Sequence, residues 1–287
     1  MSGGVLVTVV IPSYNHAHFL PRALQSVQAQ GWKDWEVVIV DNNSTDGTDD
    51  VLQPWLGERV RLLKIHNDGV IAASRNLGVR AARAEWIAFL DSDDWWAADK
   101  LERSMALALA GADVVFHDLT MVDARGRMRP WRRSRARSVG EPAYEDMVAN
   151  GCALPNSSVV VRKARLDAIG GLCEEREFVG WEDFETWLRL ARNGCRFARL
   201  GGSHGYYWIG GGNFTNPRRT LDNIDAFLAR HVGAGQLTPW WCNYARAVAY
   251  RGLGETDKVG PCFAAAWRAR PGPFNRLRIA AKWLASR

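Results

Sequence analysis

A chain of 287 residues, 47% hydrophobic and 24% charged, has the balance of an ordinary folded protein and the length for one large core or two modest ones. No apolar run approaches the roughly 20 residues with which a helix crosses a bilayer, which excludes a membrane-spanning helix. The formal charge of +6 is modest, and five scattered cysteines without zinc-ligand spacing suit reduced thiols.

No basic region followed by an apolar segment opens the chain, so no secretion signal is expected and a cytoplasmic setting is. The sequons at Asn156 and Asn213 are accordingly read as chance. Positive charge is uneven. Arginines crowd residues 125–137, and Arg268, Arg270, Arg276, Arg278, Lys282 and Arg287 mark the C-terminal stretch. Such patches attract nucleic acid, anionic lipid or a pyrophosphate-bearing acceptor, or they are simply solvated faces; of these partners, nucleic acid is not the one expected.

The first half alternates strand and helix patterns, which predicts a mostly parallel sheet flanked by helices. Val5 to Ile11 reads as a strand ended by Pro12-Ser13-Tyr14-Asn15, then a helix with Phe19, Ala23 and Val27 on one stripe. Trp35 to Val40 is a second strand, stopped by Asp41-Asn42-Asn43-Ser44. Thr48 to Leu56 reads as helix despite Pro54, and Val60 to Ile65 as strand. A helix carrying Arg75 and Asn76 leads into the buried strand Trp86 to Leu90, which runs into Asp91-Ser92-Asp93-Asp94.

Beyond it the pattern gives a helix over 99–110, a strand over 113–122, an arginine-rich loop, a helix over 144–150 and a strand over 157–162. A helix over 164–169, an amphipathic helix over 181–192 and short strands at 196–200 and 205–209 follow. From Pro217 onward everything is helical. Ala247, Tyr250, Gly254, Phe263, Ala266 and Pro271 fall at the spacing of one tetratricopeptide-like hairpin. Two regions are expected: 1–215, and a C-terminal helical extension, 216–287.

Four constellations carry chemistry. Alternate carboxylates at Asp91 and Asp93 supply hard oxygen ligands for Mg²⁺ or Mn²⁺, leaving positions for water and phosphate, unless the turn is merely solvated with Asp94 or Asp99 capping the next helix. Residues 12–15 and 41–44 lack a dinucleotide-binding glycine pattern, so Tyr14 and Asp41 suit a single base. Arg75 is placed to pair with Asp91, Asp93 or phosphate. Glu182 and Asp183 open a helix, where the dipole alone favours acids; in a cleft walled by tryptophans the pair suits a general base.

Together these stretches resemble family 2 glycosyltransferases, the inverting enzymes of the GT-A fold. The resemblance spans roughly Val5 to Thr215 and rests on Val9-Val10-Ile11-Pro12-Ser13-Tyr14-Asn15, Val40-Asp41-Asn42-Asn43-Ser44-Thr45-Asp46-Gly47-Thr48, Ala73-Ser74-Arg75-Asn76 and Phe89-Leu90-Asp91-Ser92-Asp93-Asp94. Pro155-Asn156-Ser157-Ser158, Gly170-Gly171 and the run from Trp181 to Leu190 continue it. It implies a nucleotide-sugar donor, most often UDP-linked, with the base over Pro12, Tyr14 and Asp41. Asn15, Asn43, Arg75 and Ser92 complete the donor set; Asp91 and Asp93 match the Asp-x-Asp motif that reaches the diphosphate through Mn²⁺ or Mg²⁺.

Asp183 matches the acceptor-activating base, with Glu182 beside it. The resemblance implies an inverting transfer in bacterial surface-polysaccharide or glycoconjugate assembly, to a glycan, lipid-linked or peptide acceptor. One departure stands out: where many members carry Tyr-Arg-x-His, this chain has Tyr206-Tyr207-Trp208-Ile209, with His204 nearby, so a third metal ligand is unassigned. Gly210-Gly211-Gly212 and the arginine-rich loop are read as lids. The basic loop 125–137 and the C-terminal helices are expected to touch the inner face of a membrane or a partner. The rival readings are a non-catalytic nucleotide-sugar binder and a metal-dependent nucleotidylyltransferase, though the latter class usually has a glycine-rich basic loop after the first strand.

Overall fold

Every residue of β1 (Val7–Ser13) is buried, as its run of β-branched side chains requires of a strand covered on both faces. The structure, a computed structural model, describes residues 6–134, 136–152, 154–210, 216–233, 235–269 and 271–284, without the side chains of 129–133. After β1 come α1 (Leu20–Gln28), β2 (Trp35–Asp41), α2 (Thr48–Leu52), β3 (Val60–Lys64), α3 (Ile71–Ala81), β4 (Trp86–Phe89) and β5 (Trp95–Trp96). Then follow α4 (Lys100–Leu109), β6 (Val114–Val122), β7 (Met128–Ser134), α5 (Ala143–Asn150), β8 (Val160–Arg162), α6 (Lys163–Ala168), α7 (Glu182–Arg192) and β9 (Phe197–Trp208). The last described elements are α8 (Pro217–His231), α9 (Trp240–Leu253), α10 (Thr256–Arg268) and α11 (Pro273–Leu284).

Among the described residues the strands form one sheet in the order β3-β2-β1-β4-β8-β6-β9-β5, with β7 paired to β6. From β3 to β4 all pairs are parallel, with Ser13 opposite Asp41 and Val10 opposite Phe89. Beyond β4 the sheet is mixed: β8 runs antiparallel to β4 and β6, while β9 is parallel to β6. The parallel half is thus where the strand–helix alternation predicted it. The carboxyl ends of β1, β2 and β4 lie side by side, the edge at which open α/β sheets bind ligands. The core beneath it joins Val9, Ile11, Leu24, Val37, Ile39, Trp86, Leu90 and Leu101.

Four elements depart from the sequence reading. The arginine-rich segment read as a loop contains β7, antiparallel to β6 with an irregularity at Thr120/Met121; the sequence Met-Arg-Pro-Trp-Arg-Arg-Ser shows no apolar–polar alternation to mark a strand. The two strands expected at 196–200 and 205–209 are one, β9, carried through Gly201-Gly202 by register shifts against β6. Residues 156–158 form a single 3₁₀ turn before β8, and the helix read through Pro54 stops at Leu52 and tightens into a 3₁₀ turn. Of the segments read as lids or charge clusters, Gly211, Gly212, Arg135, Arg270, Arg287 and the Asn213 sequon lie outside the described residues.

The chain divides into two compact units. The first takes Met1–Val139, Ala153–Glu174 and Glu182–Gly212, and holds the whole sheet; the second takes Gly140–Cys152, Glu175–Trp181 and Asn213–Arg287. The second therefore recruits α5 and residues 175–181 in addition to the C-terminal helices. Its core is Trp240, Ala247, Val259, Phe263, Ala266 and Ile279, supported by Tyr250. α9 ends at Gly254, whose φ of +77° is the left-handed cap that turns the chain into α10.

Candidate active site

The turns after β1 and β2 are tied to each other. The Asn15 backbone N–H donates to Ser44 Oγ (2.8 Å), and the Thr45 N–H donates to Asn15 Oδ1 (2.9 Å). Asn15 and Asn43 both hold positive φ, +52° and +53°, which asparagine tolerates better than most residues. Asp41 is fully buried; its carboxylate accepts from the Ser44 N–H (2.9 Å), the Ser44 hydroxyl and Lys64 Nζ (2.9 Å). Pro12 is buried in β1, whereas Tyr14 is 57% exposed at the rim, its ring open to stacking. Asn42 Oδ1 accepts from the Asn67 N–H (2.9 Å), joining the loop before α3 to the same edge.

The acidic turn sits beside them. Asp91 accepts from Arg75 Nη2 (2.7 Å) and from Asn156 Nδ2 (3.1 Å). Ser92 Oγ lies 2.7 Å from His16 Nδ1. The Asp93 carbonyl accepts from Arg22 Nη2 (2.8 Å), and that guanidinium stacks 3.7 Å from the centre of the Trp95 ring. Burial and the neighbouring Asp91 charge push Asp93 up to about 6. Asp94 is neither solvated nor a helix cap, as the alternative to a metal-binding turn had it: it is buried, accepts from the Trp208 N–H (2.9 Å), and is raised by burial and by its two acidic neighbours. The same acids add to the burial that raises the Tyr207 phenol.

Arg75 is 4% exposed and forks between two carboxylates, Asp91 at 2.7 Å and Glu182 at 2.8 Å. Burial opposes its charge, but Asp91 and Glu182 outweigh that and raise its pKa. Next to Glu182 in the first turn of α7, Asp183 accepts from the Phe184 N–H (2.7 Å). Burial, then the Glu182 charge, push Asp183 up to about 7, with Arg75 pulling the other way. That value suits a carboxylate that takes a proton near neutral pH.

Among the described residues no group of three or more His, Cys, Asp or Glu is arranged to hold a metal ion by itself. Two repelling carboxylates, one of them raised to about 6, fit a hard divalent ion whose other positions go to diphosphate oxygens and water, and do not fit a self-sufficient cage. His204 is no third ligand in this arrangement: it is 8% exposed, with Asp99 Oδ1 at 3.1 Å from Nδ1 and the Gly201 carbonyl at 3.0 Å from Nε2.

The sequence reading missed Asn156, Asp94, Ser157 and Arg22 as partners of the acidic turn. The first and third stood in the quoted Pro-Asn-Ser-Ser stretch, and the Asp91 N–H donates to Ser157 Oγ (3.1 Å). Nothing in the spacing of Arg22 pointed to Asp93. Of the predicted residues, Pro12, Tyr14, Asn15, Asp41, Asn43, Arg75, Asp91, Ser92, Asp93, Glu182 and Asp183 all belong to the first compact unit.

A mixed α/β sheet whose carboxyl edge gathers an Asp-x-Asp turn, a strand-end aspartate and a helix-opening Glu-Asp pair is the GT-A arrangement. The chain belongs to glycosyl transferase family 2, whose profile matches residues 8–155, just over half of the 287. It is 38% identical over 128 residues to a protein of Bacillus subtilis named as a teichuronic acid biosynthesis glycosyltransferase, TuaG, covering 41% of this chain and 51% of TuaG. It is 39% identical over 122 residues to the succinoglycan biosynthesis protein ExoO of Rhizobium meliloti, covering 42% and 35%. Against the Escherichia coli UDP-Glc:alpha-D-GlcNAc-diphosphoundecaprenol beta-1,3-glucosyltransferase WfgD it is 36% identical over 104 residues, covering 36% and 41%.

The chain thus spans about half, or less, of the length of these curated relatives. Among solved structures, Staphylococcus aureus TarS 1–349 with UDP-GlcNAc superposes with a TM-score of 0.62 at 18% identity, over 98% of this chain and 89% of that one. The Pyrobaculum calidifontis mannosyltransferase PcManGT with GDP-Man and Mn²⁺ gives 0.61 at 21%, over 99% and 81%. At these identities the likeness establishes the fold.

Proposed function

We propose that this protein transfers a glycosyl group from a nucleotide-diphosphate sugar, UDP-linked, to an acceptor hydroxyl with inversion at the anomeric carbon. The observation that carries the reading is Arg75, a buried guanidinium joining the acidic turn at Asp91 to Glu182, the neighbour of a carboxyl raised to about 7. It draws the diphosphate end of the site and the proton acceptor into one charge network.

In this reading Tyr14 stacks on the base, and Asp41, Asn15 and Asn43 shape its cradle. Ser92 lines the turn, and Asp91 and Asp93 would hold a divalent cation with the diphosphate. Mg²⁺ or Mn²⁺ there would supply charge neutralisation for the departing nucleotide diphosphate. Asp183 takes the proton from the acceptor hydroxyl as its oxygen attacks the anomeric carbon. The bond from that carbon to the diphosphate oxygen breaks on the opposite face, and its electron pair leaves with the nucleotide. Glu182 keeps Asp183 basic enough for this and holds Arg75 in place.

Support for the setting, assembly of bacterial surface polysaccharide or glycoconjugate, comes from the names of TuaG and ExoO. Support for a UDP donor comes from the names of WfgD and of the TarS complex. The test is Asp183→Asn, which keeps nearly the same shape but cannot act as a base. Sugar transfer falls by about 10²–10⁴-fold while donor binding, read by thermal shift with Mn²⁺, stays within a few-fold. Unchanged transfer removes Asp183 from the chemistry. No transfer in the parent protein, with donor binding intact, favours the non-catalytic binder, and a released sugar monophosphate favours the nucleotidylyltransferase.

A further inference from the structure

The helix α11 presents two unlike faces. Ile279 is fully buried and Trp283 is packed against Phe263, so this side seats the helix on α9 and α10. On the other side Phe274, Leu277 and Leu284 are 73%, 72% and 71% exposed. Spaced at i, i+3 and i+10, with exposed Ala281 at i+7, they form one continuous stripe along the axis. Large apolar side chains scattered singly on a surface need no explanation; a stripe along one helix does.

The charge around that stripe identifies what covers it. Between residues 258 and 287 the chain has seven Lys or Arg and no Asp or Glu. Arg276, Arg278 and Lys282 of α11 are all exposed, and long basic side chains can reach past an apolar stripe to a charged layer above it. A second copy of the same face would set these cations against their equals, which opposes self-association. The helix has 12 residues, too short to span a bilayer, and among the described residues no helix is long and apolar enough to do so. A short helix with an apolar stripe and a polar face whose charges are all positive is the pattern that lies in the plane of a membrane surface.

We propose that α11 is an interfacial anchor. It lays Phe274, Leu277 and Leu284 among the acyl chains of a membrane surface while Arg276, Arg278 and Lys282 engage anionic headgroups. The inference is independent of the transfer chemistry, because none of these side chains belongs to the unit that holds the sheet.

The experiment is co-sedimentation of the full chain with two vesicle preparations, phosphatidylcholine mixed with phosphatidylglycerol and phosphatidylcholine alone. Binding is expected to the anionic vesicles, to weaken as salt rises, and to be slight on the neutral ones. The triple variant F274S, L277S, L284S lowers partitioning at least about tenfold while melting and donor thermal shift stay those of the parent, since the three side chains are already in solvent. The triple variant R276Q, R278Q, K282Q lowers it about a hundredfold at low salt, roughly fivefold per cation.

No binding to anionic vesicles, equal binding to both preparations, or binding untouched by the serine variant overturns the proposal. So does loss of binding in R125Q, R127Q with α11 intact, which moves the contact to the β6–β7 hairpin. A parent protein that self-associates through the stripe, as shown by a change of sedimentation coefficient in the serine variant without vesicle binding, also overturns it.

Discussion

A carboxylate useful at neutral pH needs a raised pKa, and Asp183 owes its value near 7 first to burial and then to Glu182 one residue away. The sign of the resulting pH dependence follows. The proposed base must be deprotonated to act, so kcat/KM for the donor is predicted to climb as pH rises through about 7 and to level off above it. Glu182→Gln removes the charge that opposes ionisation of Asp183, so the acidic limb moves to lower pH even though the plateau falls with the loss of an Arg75 partner. An unmoved limb would mean that another group titrates. The carboxylates themselves were legible in the sequence, because an Asp-x-Asp turn after a buried run and a Glu-Asp pair opening a helix are local patterns. Half of their coupling was legible too, since Arg75 was expected to pair with the acidic turn and does so at Asp91. Its second link, to Glu182 107 residues away, was not, because no spacing rule reaches from one helix to another that distant in the chain.

At the scale of elements, α3 delivers Arg75 to the site, and what sets its height above the sheet is a glycine. A Cβ added at Gly78 would lie 2.5 Å from Val10 Cγ1 in β1, a distance no packed pair of carbons adopts. Gly78→Ala is therefore predicted to cost about 1–3 kcal/mol by overpacking, despite alanine's better helix propensity, and to depress transfer by tilting Arg75 away from Asp91. Val10→Ala in the same chain opens the space and recovers most of the loss that Gly78→Ala causes; chemical denaturation of the two single variants and the double gives the coupling directly. Periodicity made α3 and its partner strands readable, since their apolar side chains repeat at helical and strand spacing. It failed for β7, whose sequence Met-Arg-Pro-Trp-Arg-Arg-Ser does not alternate, and for β9, where two glycines masked the continuity that pairing with β6 supplies.

The whole chain has a second core besides the one beneath the sheet. Phe263, 1% exposed, stands at the centre of the helical unit, with Tyr244 and Trp283 rings 5.9 and 6.4 Å away and Val259, Ala266 and Ile279 in the same cluster. A hairpin of two helices cannot bury its own apolar face, and here α11 supplies the missing cover through Ile279 and Trp283. Phe263→Ala should accordingly remove about 3–5 kcal/mol, most of what a core of that size supplies. If the two units are separate cores, the damage is local. Limited proteolysis of the variant cuts within 240–284 while the segment holding β1 to β6 stays protected, and the donor thermal shift persists at a lower melting temperature. A variant that loses donor binding and protease resistance throughout in a single transition would show instead that the sheet unit depends on the helices for its stability, and that the chain folds as one cooperative body.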